Sequence, residues 1–194
     1  MAADGLAQRV NFGFGQALDP IVLEQARRRD AAALKAIYQL YSRACYNLAL
    51  RILGNPAAAE DIVQDVFLHM LDALPGFRGE APFGAWLKRM TTNATIDVAR
   101  RNRRFDTDHE ESPVERTAQE QPGPDVRVDA WSLLMRLSVR ERAVVVLHEL
   151  EGYTHKELAR LFGQSESYSK SVLARALKRL GVASDGTSEW RGDA

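Results

Sequence analysis

From Asn55 onward, apolar residues return at steps of one, three and four: Ile62, Val63, Val66, Phe67, Met70, Leu71 and Leu74. That spacing predicts an amphipathic helix with one buried stripe, opened by a capping Asn55 followed by Pro56 in the first turn. Its other face carries Glu60, Asp61, Gln64, Asp65, Leu68 and Asp72. A Leu set among carboxylates suits a docking surface, while a plain solvated acidic face with one stray Leu reads the same residues without function. Leu74-Pro75-Gly76 closes the helix, and Phe77 to Pro82 reads as a loop from its Gly and Pro content.

A second helix follows, with Phe83, Leu87, Met90, Ala94 and Val98 on one side and Trp86 at its edge. Its remaining surface is expected to show Lys88, Arg89, Thr91, Thr92, Asn93 and Thr95, ending in Arg100, Arg101, Asn102, Arg103 and Arg104. Upstream, one helical pattern runs from Pro20 to Asp30. Another runs through Leu34, Ile37, Tyr38, Tyr41, Cys45, Leu48, Ala49 and Ile52 to a stop at Gly54. Residues 1–19 show no periodicity and are expected to be a flexible tail.

After Arg104 the composition changes. Phe105 to Val126 holds seven acids against one base, Arg116, for a net charge of −6, with Pro113, Pro122 and Pro124 as breakers. This predicts an acidic flexible linker over 105–128. About 22 such residues span roughly 25 Å on average and about 75 Å stretched, enough to bridge two DNA turns of about 34 Å each. Helices resume at Asp129, with Trp131, Leu134 and Leu137 on one short face. Ser138 and Thr154 each have Glu three residues on, at Glu141 and Glu157, which is capping-box spacing. The helix after Ser138 is expected to bury Ala143, Val144, Val146, Leu147 and Leu150. The one after Thr154 is expected to bury Leu158, Ala159, Leu161 and Phe162, and to stop at Gly163. Ser165 or Ser167 then opens a last helix with Val172, Leu173, Ala176, Leu177 and Leu180 on one side and Lys170, Arg175, Lys178 and Arg179 on the other. Two short helices around a Gly-containing turn spell helix-turn-helix. The expected fold class is all-α, with two small helical domains at 20–104 and 129–181 and a flexible C-terminal tail at 182–194.

Composition adds mainly exclusions. The 194 residues carry 26 basic and 26 acidic side chains, so net charge names no partner and local distribution must. Cys45 is the single cysteine, set in an apolar pattern and read as core; a disulfide framework is ruled out. No apolar run approaches a membrane span and the start lacks a signal-peptide pattern, so cytoplasmic residence without membrane insertion is expected. His69, His109, His148 and His155 lack zinc spacing, and there is no glycine-rich phosphate loop. The chain is expected to be neither an enzyme nor a cofactor or metal protein.

Two runs carry a family resemblance. Ala59-Glu60-Asp61-Ile62-Val63-Gln64-Asp65-Val66-Phe67 and the run from Phe77 to Met90 resemble region 2 of bacterial RNA polymerase sigma factors of the sigma-70 family, in the extracytoplasmic-function (ECF, group 4) class. Leu137 to Arg142 and Leu150-Glu151-Gly152-Tyr153-Thr154 resemble region 4. The resemblance implies a transcription initiation factor that binds core polymerase through its β′ and β subunits, recognises promoter −10 and −35 elements and promotes melting. An anti-sigma factor is a further implied partner class. Glu60, Asp61, Gln64, Asp65 and Leu68 would dock on the β′ clamp helices, where carboxylates meet Arg around a small apolar centre. Phe77, Arg78, Gly79, Glu80 and Ala81 would form the loop that captures a flipped −10 base, with Trp86 beside it. Lys88, Arg89, Thr92, Asn93 and Thr95 would line the −10 strand, and Arg100, Arg101, Arg103 and Arg104 would hold phosphates. Those arginines also suit a helix C-terminus on dipole grounds alone. Ser165, Ser167, Tyr168, Lys170, Ser171, Arg175 and Lys178 would face the −35 element.

The chain departs from the family pattern at three places. Ala58 stands where many relatives have Asp. Tyr168 stands where they have a hydroxyl residue, and Val172 where they often have Arg, which lowers the −35 readout expected from a bidentate donor. Two alternatives follow: a helix-turn-helix regulator with an N-terminal sensing or dimerisation module, and a polymerase-binding protein with reduced promoter activity. The target promoters, the inducing signal and the identity of an anti-sigma partner are not readable from the sequence.

Overall fold

The computed structural model describes residues 13–101 and 126–181, the side chains of 126–129 excepted. The chain divides into two compact units, one ending at Val98 and one beginning at Ala99. Among the described residues the regular structure is helical, without strands.

The first unit contains α1 (Pro20–Arg27), α2 (Ala31–Leu53), α3 (Pro56–Ala73) and most of α4 (Phe83–Arg101). Short-range capping sets the starts. Asp19 accepts from Ile21 N, Asp30 from Ala33 N at 2.8 Å and Asn55 from Ala58 N at 3.1 Å. Each such cap contributes about 1 kcal/mol by satisfying an amide that the helix leaves without a partner. Gly54 ends α2 in the left-handed region at φ 69°, where a side chain would be strained. The core joins Ile37, Tyr41, Cys45, Ala49, Ile62, Val66, Phe67, Met70, Leu74, Phe83 and Leu87. The α3 stripe is buried as its spacing requires, with Leu71 half-buried. Tyr38, expected inside, is 49% exposed and leans on Phe67 at 4.8 Å between ring centroids.

Residues 13–19 are not a free tail, contrary to expectation. Phe14 and Leu18 pack on the core, and the Tyr41 hydroxyl donates to Gln16 O at 2.6 Å. Aperiodic sequence signals the absence of a helix but not the absence of contacts.

The second unit holds α5 (Val126–Met135), α6 (Val139–Val145), α7 (His155–Phe162) and α8 (Glu166–Arg179). α5 begins at Val126, three residues before the expected resumption at Asp129. Both capping boxes form, Ser138 with Glu141 and Thr154 with Glu157. After Val145 the chain widens into a π-helical turn over Val146–Leu150, closed by Glu151 N donating to Val146 O at 3.0 Å. That change of period turns Leu150 outward. It was expected in the core and is 48% exposed. Gly163, at φ 64°, ends α7, and Ser165, not Ser167, caps α8 by accepting from Tyr168 N at 3.1 Å. The expected tails at 1–12 and 182–194, Arg103, Arg104 and the acidic stretch through 125 lie outside the described residues.

Candidate functional site

On α3, Glu60, Asp61, Gln64 and Asp65 are exposed around Leu68, which is 63% exposed. Every other large apolar residue of this helix is turned inward or half-covered. Ala58 lies in the first turn, where its amide is taken up by Asn55.

The loop from Arg78 to Pro82 is exposed throughout, and Gly79 sits at φ 74°, a conformation that glycine adopts without strain. Its two ends are fixed. Phe77, expected to face DNA, is instead buried: its ring meets Phe83 edge-on at 5.6 Å and Trp86 at 4.9 Å, and Phe83 meets Trp86 at 5.4 Å. An aromatic ring at a loop root gains more from this cluster than from water, so Phe77 anchors the loop and leaves Arg78, Gly79 and Glu80 to reach a ligand. Arg27 adds a second anchor by donating through Nη2 to the Phe77 carbonyl. Nothing local in the sequence signals that pairing, which joins residues 50 apart.

On α4 the exposed row is Arg89, Asn93, Asp97, Arg100 and Arg101, with Trp86 and Lys88 half-buried. Thr92 and Thr95 do not line a surface: both are fully buried, as is Thr91. The Thr95 hydroxyl donates to Thr91 O at 2.8 Å and that of Thr91 to Leu87 O at 2.9 Å. Back-bonding to the carbonyl four residues earlier satisfies the hydroxyl, so the methyl can enter the core. Thr91 also reaches Cys45 Sγ at 3.3 Å, and burial pushes the Cys45 thiol up to about 11, which leaves it unreactive.

On α8, Ser165, Ser167, Lys170, Ser171, Arg175 and Lys178 all lie on the exposed face, together with Glu166 and Ala174. Tyr168 does not stand free on it. It is half-buried, its hydroxyl accepts from Arg140 Nη1 and its ring lies 5.7 Å from the Arg140 guanidinium carbon. Val172 is fully buried and belongs to the inward stripe with Leu173 and Ala176. A residue there cannot read a base, so Val172 does not weaken readout, and the expectation built on it is withdrawn. The helix is held from beneath: Glu141, 4% exposed, accepts from Arg179 Nη1 at 3.1 Å while closing its own capping box. Arg142 is buried beside Met135 Sδ, and desolvation pushes its guanidinium down to about 10. No group of His, Cys, Asp and Glu among the described residues has the makings of a metal site.

The family described as Sigma-70 region 2 matches residues 37–105, and that described as Sigma-70, region 4 matches 127–180. The ECF RNA polymerase sigma factor SigM of Mycobacterium tuberculosis is 34% identical over 154 residues, covering 78% of this chain and 76% of the relative. SigL of the same species is 31% identical over 162 residues, covering 80% and 90%. Among solved structures, the sigma factor RpoE in complex with the anti-sigma factor NepR from Bartonella quintana has a TM-score of 0.53 at 24% identity, covering 78% of this chain and 98% of that one. CnrH in complex with the cytosolic domain of CnrY has a TM-score of 0.50 at 23% identity, covering 87% and 97%. At those identities the two structures speak for the fold.

Proposed function

Because the chain belongs to the ECF sigma factors, the promoter-recognising subunits of RNA polymerase, we propose that its surface divides into three working faces. Glu60, Asp61, Gln64, Asp65 and Leu68 dock on the polymerase clamp. Arg78, Gly79 and Glu80, with Trp86, Lys88, Arg89, Asn93, Arg100 and Arg101, take the opened −10 strand. Ser165, Ser167, Lys170, Ser171, Arg175 and Lys178 take the −35 duplex. An anti-sigma factor, the class of partner bound to RpoE, is its expected antagonist, and the cytoplasm, where the polymerase works, its expected compartment.

The exposed Leu68 inside a ring of acids is the observation that carries the first face. Carboxylates pair with arginines by charge-assisted hydrogen bonds, while a central Leu supplies the dry contact that exposed ion pairs lack. The loop suits strand capture for a different reason. Bases must leave the stack before they can be held, and a protruding loop on rigid roots can enter between them where a helix face cannot. α8 offers hydroxyls and cations on one face of a short helix, the form that enters a major groove and holds phosphates. The decisive experiment is Asp61→Lys with Asp65→Lys. Co-purification with core polymerase should be lost while the melting temperature holds, since both side chains are outside the core. Undiminished binding to core would remove the docking assignment.

A further inference from the structure

The loop that carries the −10 assignment has exposed residues from Arg78 to Pro82 and is therefore placed by its two roots, Phe77 and Phe83. Phe77 is secured by Arg27 and its ring contacts. Phe83 packs against Tyr41, whose ring lies 5.6 Å away, as well as against Phe77 and Trp86. Tyr41 is completely buried, and the partner of its hydroxyl is the backbone carbonyl of Gln16 at 2.6 Å. Two residues upstream, the Phe14 carbonyl lies directly on Gly84: a Cβ there would overlap that oxygen and come within 3.1 Å of Tyr41 Cε1. Gly84 is the second residue of α4, where alanine would otherwise be the better helix former by up to about 1 kcal/mol. The glycine is the gap through which the N-terminal segment passes.

We propose that Phe14–Gln16 is a positioning strap for the strand-capturing loop: laid across Gly84 and bonded to Tyr41, it fixes Phe83 and, through the Phe83–Trp86–Phe77 cluster, the geometry from which Arg78 and Glu80 project. This rests on the reading of that loop given above. A buried tyrosine hydroxyl without its acceptor must find water or another partner, and either choice moves the ring that Phe83 leans on. The strap bonds to Tyr41 and lies on Gly84, while the residues assigned to polymerase docking are exposed on α3, so its loss should act on opening and not on assembly. The promoter-facing surface of this chain therefore depends on a segment outside the four helices of its unit.

The test uses holoenzyme assembled with the whole chain on a duplex promoter that it must open. Gly84→Ala should lower permanganate reactivity of the −10 thymines on the order of tenfold, the size of about one lost hydrogen-bonded contact, with core binding unchanged. Tyr41→Phe keeps the ring and removes the hydrogen bond, and should give a smaller loss of about threefold. Deleting residues 1–16 should match Gly84→Ala, and the two together should be no worse than either alone, because both remove the same contact. Additive losses, or opening equal to wild type in Gly84→Ala, would overturn the strap. So would losses that only track the fraction of unfolded protein at the assay temperature. Arg78→Ala with Glu80→Ala separates the two levels: if that pair opens promoters normally, the loop reading fails. If the pair is impaired while the strap variants are not, the strap alone falls.

Discussion

α4 and α8 are the two helices assigned to DNA, and they spend similar residues in opposite ways. Both end in cations, Arg100 and Arg101 on one, Lys178 and Arg179 on the other. Both are rich in hydroxyls. α4 buries its threonines, each of Thr91 and Thr95 bonded back to its own helix, and meets solvent through Arg89, Asn93 and Asp97. α8 keeps Ser167 and Ser171 outside and buries one serine, Ser169, against His155 at 3.0 Å. The difference follows from phase and from the methyl group. Threonine carries enough apolar volume to fill a core position once its hydroxyl is satisfied, while serine gains little from burial. A hydroxyl-rich helix is therefore no indication of a nucleic-acid face until its phase against the core is known.

The largest effect that sharpens this contrast comes from α8. Val172→Arg should destabilise the second unit by at least about 3 kcal/mol, because it places an unpaired charge at a fully buried site. Ala174→Arg, two residues on and exposed, should stay within about 0.5 kcal/mol of the parent. Thermal melting of the two variants decides the phase. Equal stability of both would place Val172 on the surface and reinstate it as a readout position.

Next in size is an exchange on both helices. Thr95→Val keeps the shape and removes a hydroxyl whose acceptor retains its helical bond, so promoter opening should be unchanged. Ser171→Ala should relax preference at the −35 element by about 1 kcal/mol if its hydroxyl meets a base edge. Transcription from a promoter library would show both. A −10 defect in Thr95→Val would break the contrast by showing that the threonine leaves the core when DNA binds.

How far the chain could be read beforehand follows the same division. Asn55, Ser138 and Thr154 announced their helices correctly because a cap is settled within three residues. The α3 stripe was legible too, since a strict 3.6 period with one dissenting Leu68 has one reading. α4 was less so. Its apolar residues are sparse enough that threonines complete the buried arc, and periodicity that counts only hydrocarbon misses them. The Arg27–Phe77, Tyr41–Gln16 and Arg140–Tyr168 pairings were not legible, as each joins segments 25 or more residues apart through a backbone carbonyl or a phenol. Val172 is hard to place for a further reason: the family motif suggests a polar position there, whereas the apolar spacing of Val172, Leu173 and Ala176 puts it inside.

The smallest expected effect separates the two units by pH. The second unit contains a stacked histidine pair, His148 and His155, with ring centroids 4.4 Å apart. His155 Nδ1 faces Ser169 Oγ at 3.0 Å, and His148 Nδ1 faces Glu149 Oε1 at 3.0 Å. Burial first, then the neighbouring His148 and Lys170, hold the His155 pKa below its ordinary 6.5, against the weaker opposing pull of Glu166 and Glu149. The unfolded chain thus takes up the proton more readily than the folded one. Stability from this group is complete above about pH 6.5 and is lost as pH falls through the depressed folded value. The effect is modest because the ring is only partly covered. Trp131, on α5, reports the second unit once Trp86 and Trp190 are replaced by Phe. Its melting temperature should drop as pH is lowered below about 6.5, and His155→Gln should flatten that slope. Destabilisation that sets in only on raising the pH would reverse the sign and remove the histidine pair as its source.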